Sequence, residues 1–297
     1  KYISQYSIHA QEAKALIAII EKRLHIALWQ GVQDRKNLDE VIRFINEHPQ
    51  SEFRSEAEAL RKKLESSPPP APPSLPEEVV DIESKIINVG GGSFTLGCDK
   101  GSHCDDDASP AVKVNIKNVA ISKYEVTQAQ YKAIMGVNPS YFKDCPSCPV
   151  ENVSFDDVME YIRKLNALPG NPYKFRLPTE AEWEYFALAN KNTMYAGSNN
   201  IDEVAQYGTK TGGTVNVKSK KANDFGIYGM TGNVAEWCVD YYHKDAYAKY
   251  NGKTPTDLTP TRVVRGGSFK DNARFCKVKS RKSVPSDEKA DWLGFRL

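Results

Sequence analysis

The sequence has no run of about 18 consecutive apolar residues, so no membrane-spanning helix is expected. It has almost no net charge. The 40 Lys+Arg and 38 Asp+Glu leave +2, which weakens a bulk electrostatic case for nucleic-acid binding, and no groove-reading or base-stacking motif is visible. Histidine is sparse: His9, His25, His48, His103 and His243 are scattered, and none falls in HExxH or another recognised ligand spacing. Gly90-Gly91-Gly92 is not followed by the Lys-Ser/Thr of a phosphate loop, which excludes that nucleotide site. Beside His103 and Cys104, the run Asp105–Asp107 lacks a fourth fixed ligand and reads as a solvated turn. The chain starts at Lys1 without a signal-peptide pattern and is read as a processed piece whose address label has been removed. What is present is 40% hydrophobic and 10% aromatic residues, enough for a real core and too many for global disorder.

Six cysteines remain ambiguous: Cys98, Cys104, Cys145, Cys148, Cys238 and Cys276. An even count suits an exported protein with disulfides, though a chain this long does not need them for stability. Cys145-Pro-Ser-Cys148 has the spacing of redox or zinc chemistry. It lacks both a second CxxC and a thioredoxin-like strand–helix context, so loop staples or plain thiols are favoured.

The chain reads as three regions. Residues 1–66 carry helical stripes. The first is Ala13, Leu16, Ile17, Ile20, Leu24, Ala27 and Leu28; the second is Leu38, Val41, Ile42 and Ile45, stopped at His48-Pro49. The third, after an N-cap at Ser51, is Phe53, Ala57, Leu60 and Leu64. The turn between the second and third resembles that of tetratricopeptide-like pairs, but one pair is not an array, and a small helical cap or stalk is expected. Residues 67–80 form a linker: six prolines between Ser66 and Pro76 favour an extended spacer. The main domain, 81–297, reads as α+β. Short strands flank Gly90–Gly92, one strand covers Val112–Ile121, and helices cover 128–135, 155–165 and 180–188. Ser154 and Thr179 are N-caps, the latter with Glu182 or Glu184 as capping-box partner. From about 190 to 260 the sequence reads mostly as loop.

Segments that carry identity follow in order: GGSFTLG (91–97), YEVT (124–127), RLPTEAEWEY (176–185), GNVAEW (232–237), RVVRGGSF (262–269) and LGFRL (293–297). Together they resemble the formylglycine-generating-enzyme family, also called the sulfatase-modifying-factor domain, over about residues 86–297. The resemblance implies an elaborated C-type lectin-like fold with short sheets, two main helices and long loops. Arg176 and Arg296, lying in apolar runs, are expected to pair with buried carboxylates such as Glu180 and Glu236. The resemblance also implies a structural calcium site drawing on Asn233 and Glu236, although residues 195–225 look shorter than in the enzymes.

The family's oxidase holds copper(I) with two cysteines five residues apart after the RGGS segment. Here Cys276 stands at the second position and Asp271 at the first, and a hard carboxylate does not replace a thiolate for that metal. No cofactor and no catalytic residue is therefore expected, and a copper-dependent oxidase is the alternative, with Cys238 as the only substitute thiol.

The closing stretch also resembles the variable region of proteins diversified by diversity-generating retroelements, a class that includes treponemal variable lipoproteins. The resemblance implies a fixed frame of Gly266, Gly267, Ser268, Ala273, Cys276, Val278, Arg281, Pro285, Gly294, Phe295 and Leu297. Between these lie Phe269, Asp271, Arg274, Phe275, Ser280, Ser283, Val284, Ser286, Asp291 and Trp292, chemically mixed as a recognition surface requires. Phe269, Phe275 and Trp292 are expected as apolar anchors, and Asp271, Arg274 and Asp291 as polar selectors. From Thr261 to Leu297 ten Lys/Arg face four Asp/Glu, a local excess of +6. The implied protein is a non-enzymatic, exported binder at the bacterial cell surface, reaching the membrane only through a lipid anchor outside this piece. Its ligand is an unknown protein or glycan, with no nucleic acid expected.

Overall fold

A computed structural model describes residues 22–33, 38–66, 85–99, 104–208, 212–250 and 255–297. The chain divides into two compact units, residues 1–73 and 74–297. The expected linker at 67–80 and the first stripe up to Ile20 lie outside the described residues.

In the smaller unit, α1 (22–33), α2 (Leu38–Glu47) and α3 (Arg54–Ser66) close around Trp29, Val32, Val41, Phe44, Ile45 and Ala57. The second and third stripes face this core. The described end of the first does not: Leu24 and Leu28 are 57% and 40% exposed. Trp29 and Val32 take the inner face instead, and the Trp29 indole N–H donates to Glu56 Oε2 at 3.1 Å. A tryptophan buries more area than a leucine, so its placement sets the rotation of α1.

The larger unit is α+β. Strands β1 (Ile86–Val89) and β4 (Val119–Ser122) pair antiparallel, as do β2 (Gly92–Leu96) and β3 (Val112–Ile116). The single strand expected over Val112–Ile121 is thus two, broken at Lys117–Asn118. The break matches the glycine turn opposite: Asn118 Oδ1 accepts the Gly91 N–H at 2.8 Å, and a Cβ on Gly91 would stand 2.2 Å from the Ile116 carbonyl oxygen. Three helices follow, α4 (Gln128–Met135), α5 (Phe155–Asn166) and α6 (Glu180–Leu188). Each starts in a reciprocal capping box, Thr127/Gln130, Ser154/Asp157 and Thr179/Glu182. A one-turn α7 (Ile201–Val204) precedes β5 (Ala235–Tyr241). The second sheet runs β7 (Lys282–Pro285), β6 (Thr261–Arg265), β5, β8 (Leu293–Gly294), with β8 parallel to β5.

The expectation of loop over 190–260 misses β5. Ala235–Asp240 is buried at every position except Val239, so it carries no alternation to read. This strand lies between two apolar clusters. Trp237 packs with Phe155, Phe295 and Val284 on one side, and Cys238 packs with Trp183, Phe186 and Tyr247 on the other. Cys98–Cys104 and Cys145–Cys148 are disulfides, while Cys238 and Cys276 are free and buried.

Candidate functional site

The frame beneath the closing segment is ionic. Arg265 donates to Glu180 Oε1 at 2.7 Å and Glu184 Oε2 at 2.6 Å. Arg281 grips both oxygens of Glu180, at 2.6 and 2.9 Å. Lys279 Nζ reaches Glu184 Oε1 at 3.0 Å. Burial opposes ionisation of Glu180, but Arg281 and Arg265 outweigh it and hold the carboxyl below its ordinary range. A second strut joins Arg296 to Glu236 through both carboxylate oxygens, and the Trp183 indole N–H donates to Glu236 Oε2 at 2.7 Å.

These pairs correct two expectations. Arg176 meets Glu182 at the surface rather than a buried carboxylate, because α6 turns Glu180 and Glu184 inward and Glu182 outward to its capping box. The +6 excess is also halved locally: Glu180, Glu184 and Glu236 lie outside the segment and offset Arg265, Arg281 and Arg296. The implied calcium donors are committed elsewhere. Glu236 is held by Arg296 and Trp183. Asn233 Oδ1 accepts the Val215 N–H, and its amide donates to Glu125 Oε1. That geometry fits a strut rather than a calcium cage.

Above the frame the turn at Gly266–Gly267 doubles back. Gly267 has φ +65°, and a Cβ there would lie 2.7 Å from Cys276 Sγ. Asp271 Oδ2 accepts the Ser268 N–H at 2.9 Å and the Ser268 hydroxyl at 2.6 Å, closing the turn. Cys276 is fully buried. Burial, reinforced by Asp271, pushes its thiol up to about 12, so it stays protonated. Burial likewise raises the thiol of Cys238, which packs in a different cluster from Cys276. One protonated thiol and a carboxylate engaged in a turn do not fit copper(I), which favours thiolates.

The ten expected contact residues divide. Asp271, Phe275 and Ser280 line one cavity of about 240 Å³ floored by Gly266 and Gly267, with Lys282 also on its wall. Arg274 is exposed and stacks its guanidinium 4.7 Å from the Phe275 ring. Asp291 receives Lys270 Nζ at 2.6 Å on each oxygen, and Trp292 carries the Lys282 ammonium 3.5 Å from its ring centroid. Ser283 is exposed, and Ser286 is half-buried with its hydroxyl donating to the Pro260 carbonyl. Three placements depart from a surface role. Phe269 is 4% exposed, because its ring meets Phe142 edge-on at 5.3 Å. Val284 is 3% exposed on the inward side of β7. Ser280 is 8% exposed and spends its hydroxyl on the Arg274 carbonyl.

The sequence reading missed Lys282, Lys270 and the loop at Tyr141. Glu151, fully buried, accepts the N–H groups of Tyr141 and Phe142 at 3.0 and 2.9 Å. Gln128 donates to the Phe142 carbonyl at 2.7 Å. A loop fixed this firmly nevertheless leaves Tyr141 70% exposed, edge-on to Phe142. Its signal was Tyr-Phe beside Asn138-Pro139-Ser140, a turn cluster with an aromatic tip.

Comparison with known proteins adds family membership. The profile of the sulfatase-modifying factor enzyme 1-like domain matches residues 73–297. Chaperone protein LppX of Paenibacillus barcinonensis is 31% identical over 265 residues, spanning 72% of this chain and 87% of that protein. The formylglycine-generating enzyme of Bos taurus is 25% identical over 314 residues, spanning 82% and 81%. The solved structure of Treponema denticola variable protein 1 superposes with a TM-score of 0.61 at 27% identity, covering 71% of this chain and 93% of that one. The fold is accordingly the C-type lectin-like fold of the formylglycine-generating type, with a variable protein among its relatives. The chain belongs to the sulfatase-modifying factor enzyme 1-like domain family.

Proposed function

We propose that the protein is a non-enzymatic, exported ligand-binding protein displayed at the bacterial cell surface. Its site is the cavity at Asp271, Phe275 and Ser280 with the flanking Arg274, Ser283, Asp291 and Trp292, and its ligand is a protein or a glycan. The observation that carries this reading is Asp271: where the oxidase needs a thiolate, this chain has a carboxylate that closes a turn and walls a cavity. The relatives named as a chaperone and as a variable protein support a binding role. Contact groups on a salt-bridged frame lose little conformational freedom on binding. Phe269 and Val284 then support the surface from beneath, Ser280 forms part of the cavity wall, and Phe275 and Trp292 are the anchors.

The enzyme reading rests on the formylglycine-generating relatives and has its own test. The protein is loaded with copper(I), given a cysteine-bearing sulfatase peptide, and the product is analysed by mass spectrometry. No aldehyde is expected; turnover abolished by Cys276→Ala would replace the binding reading. For the site, a ligand found by screening glycan and protein arrays should lose affinity in Phe275→Ala and Trp292→Ala. Undiminished binding in the double variant would move the site elsewhere. In the DNA, a near-repeat of the closing segment differing at adenines would mark the segment as diversified.

A further inference from the structure

A cavity of about 160 Å³ opens beside the start of α4, with Tyr124, Thr127, Gln130, Ser147, Asn216 and Lys218 on its wall. It shares no residue with the cavity at Asp271. The backbone donors of the helix start are already spent: the Gln128 N–H goes to the Cys148 carbonyl at 3.0 Å and the Ala129 N–H to the Pro146 carbonyl at 3.1 Å. The side chains are not. Gln130 is 7% exposed, and its Oε1 accepts the Thr127 N–H at 2.9 Å, which fixes the orientation of the amide. Its Nε2 is left without an acceptor among the described residues.

Among the described residues the neighbouring donors are equally unspent. Thr127 Oγ1 accepts the Gln130 N–H but donates to nothing, and Asn216 Oδ1 accepts the Lys218 N–H while its Nδ2 is unbonded. The Ser147 hydroxyl makes no bond. Lys218 Nζ lies 5.4 Å from the centre of the Tyr124 ring and meets no carboxylate. The one carboxyl side chain on the wall, Glu125, gives Oε1 to the Asn233 amide, and burial pushes it up to about 8, so it is uncharged at neutral pH. Lys85 and the carboxyl of Leu297 add one charge of each sign. Five donors, one of them cationic, thus meet in a small cavity without an ionised side-chain acceptor.

We propose that this cavity binds the anion of a small carboxylic acid. A carboxylate offers about four lone-pair sites, which suits this many convergent donors. The buried Gln130 amide and the Lys218 ammonium hold one oxygen each, and the Thr127 and Ser147 hydroxyls take the remaining lone pairs. Lys218 is exposed and reaches the anion by leaving the Tyr124 ring, which then covers the alkyl part of the acid. One free ammonium among neutral donors, with no guanidinium fork, matches a single charge better than the double charge of a phosphate. The inference stands whether or not the cavity at Asp271 binds.

The probe is sodium butyrate, added to the full chain at neutral pH with the ionic strength held by sodium chloride. Binding is followed through the side-chain amide signals of Gln130 and Asn216 in ¹H–¹⁵N spectra. Saturable shifts are expected with butyrate, weaker ones with phosphate and none with butylammonium. Gln130→Glu keeps the acceptor that caps α4, since either residue serves at that position, but puts a carboxylate where the amide donor stood. Read at Asn216, it should weaken butyrate by about tenfold or more, and Lys218→Met by about twofold to fivefold. No saturation, equal shifts with butylammonium, phosphate binding as tightly as butyrate, or full affinity in folded Gln130→Glu would overturn the proposal. If Gln130→Glu does not fold, Lys218→Glu at its exposed position asks the same question, and retained affinity again overturns it.

Discussion

Arg265, Arg281 and Arg296 carry charges where water does not reach, so their stability depends wholly on the carboxylates gripping them. Removing one partner leaves the other charged and buried. Arg265→Ala should therefore cost about 3–5 kcal/mol in urea unfolding, against about 1 kcal/mol for Arg176→Ala, whose own side chain is 52% exposed in its pair with Glu182. Equal losses would mean that the buried network is not the frame. Glu125 presents the opposite case. Burial pushes its carboxyl from 4.5 up to about 8, opposed by Arg296 and reinforced by Glu236, and its Oε2 has no hydrogen-bond partner. The folded chain thus keeps a proton that the unfolded chain releases above about pH 4.5. Stability is unaffected below that pH, falls as the pH rises toward about 8, and is lower by on the order of a few kcal/mol beyond it. Glu125→Gln should flatten the melting temperature between about pH 5 and pH 9. A variant whose curve stays parallel to the wild type would show that another group titrates.

Two of the capped helices of the larger unit were legible because Ser154 and Thr179 announce their own starts; the helix from Gln128 was read without its cap at Thr127, and the glycine turn was legible at Gly90–Gly92. Strand β5 was not, since burial on both faces erases periodicity. Nor was the break between β3 and β4 read, although its signal is there: the apolar positions shift phase from Val112, Val114 and Ile116 to Val119 and Ile121 across the polar pair Lys117–Asn118. The site was half legible. Mixed chemistry between Phe269 and Trp292 marks a segment, but whether a side chain points out depends on packing across the chain: Phe142, distant in sequence, draws Phe269 inward, while Phe275 stays 45% exposed. Phe269→Ala should accordingly cost about 3–5 kcal/mol in chemical denaturation, and Phe275→Ala within about 0.5 kcal/mol. A reversed order would exchange their roles as prop and anchor. In the same turn, Gly267→Ala forces a left-handed residue against Cys276 Sγ and the Phe275 carbonyl, and should reshape the cavity as well as destabilise it.

At the scale of the whole chain, two hydrophobic cores form separately. Trp29, Phe44 and their neighbours close one within residues 1–73, and the clusters flanking β5 close the other within 74–297. Among the described residues, every strut beneath the proposed site, from Glu180 to Arg296, comes from the larger unit. A chain beginning at residue 74 should therefore fold on its own, with the Arg265 and Arg296 pairs intact and ligand affinity unchanged. Calorimetry on the full chain should show the larger unit's transition at the same temperature as in the shortened chain. A fall of more than about 5 °C, about 1–2 kcal/mol for a unit of this size, would mean that the helical unit contributes to the stability of the site-bearing one. Loss of binding with that transition unmoved would instead place part of the site on the helices.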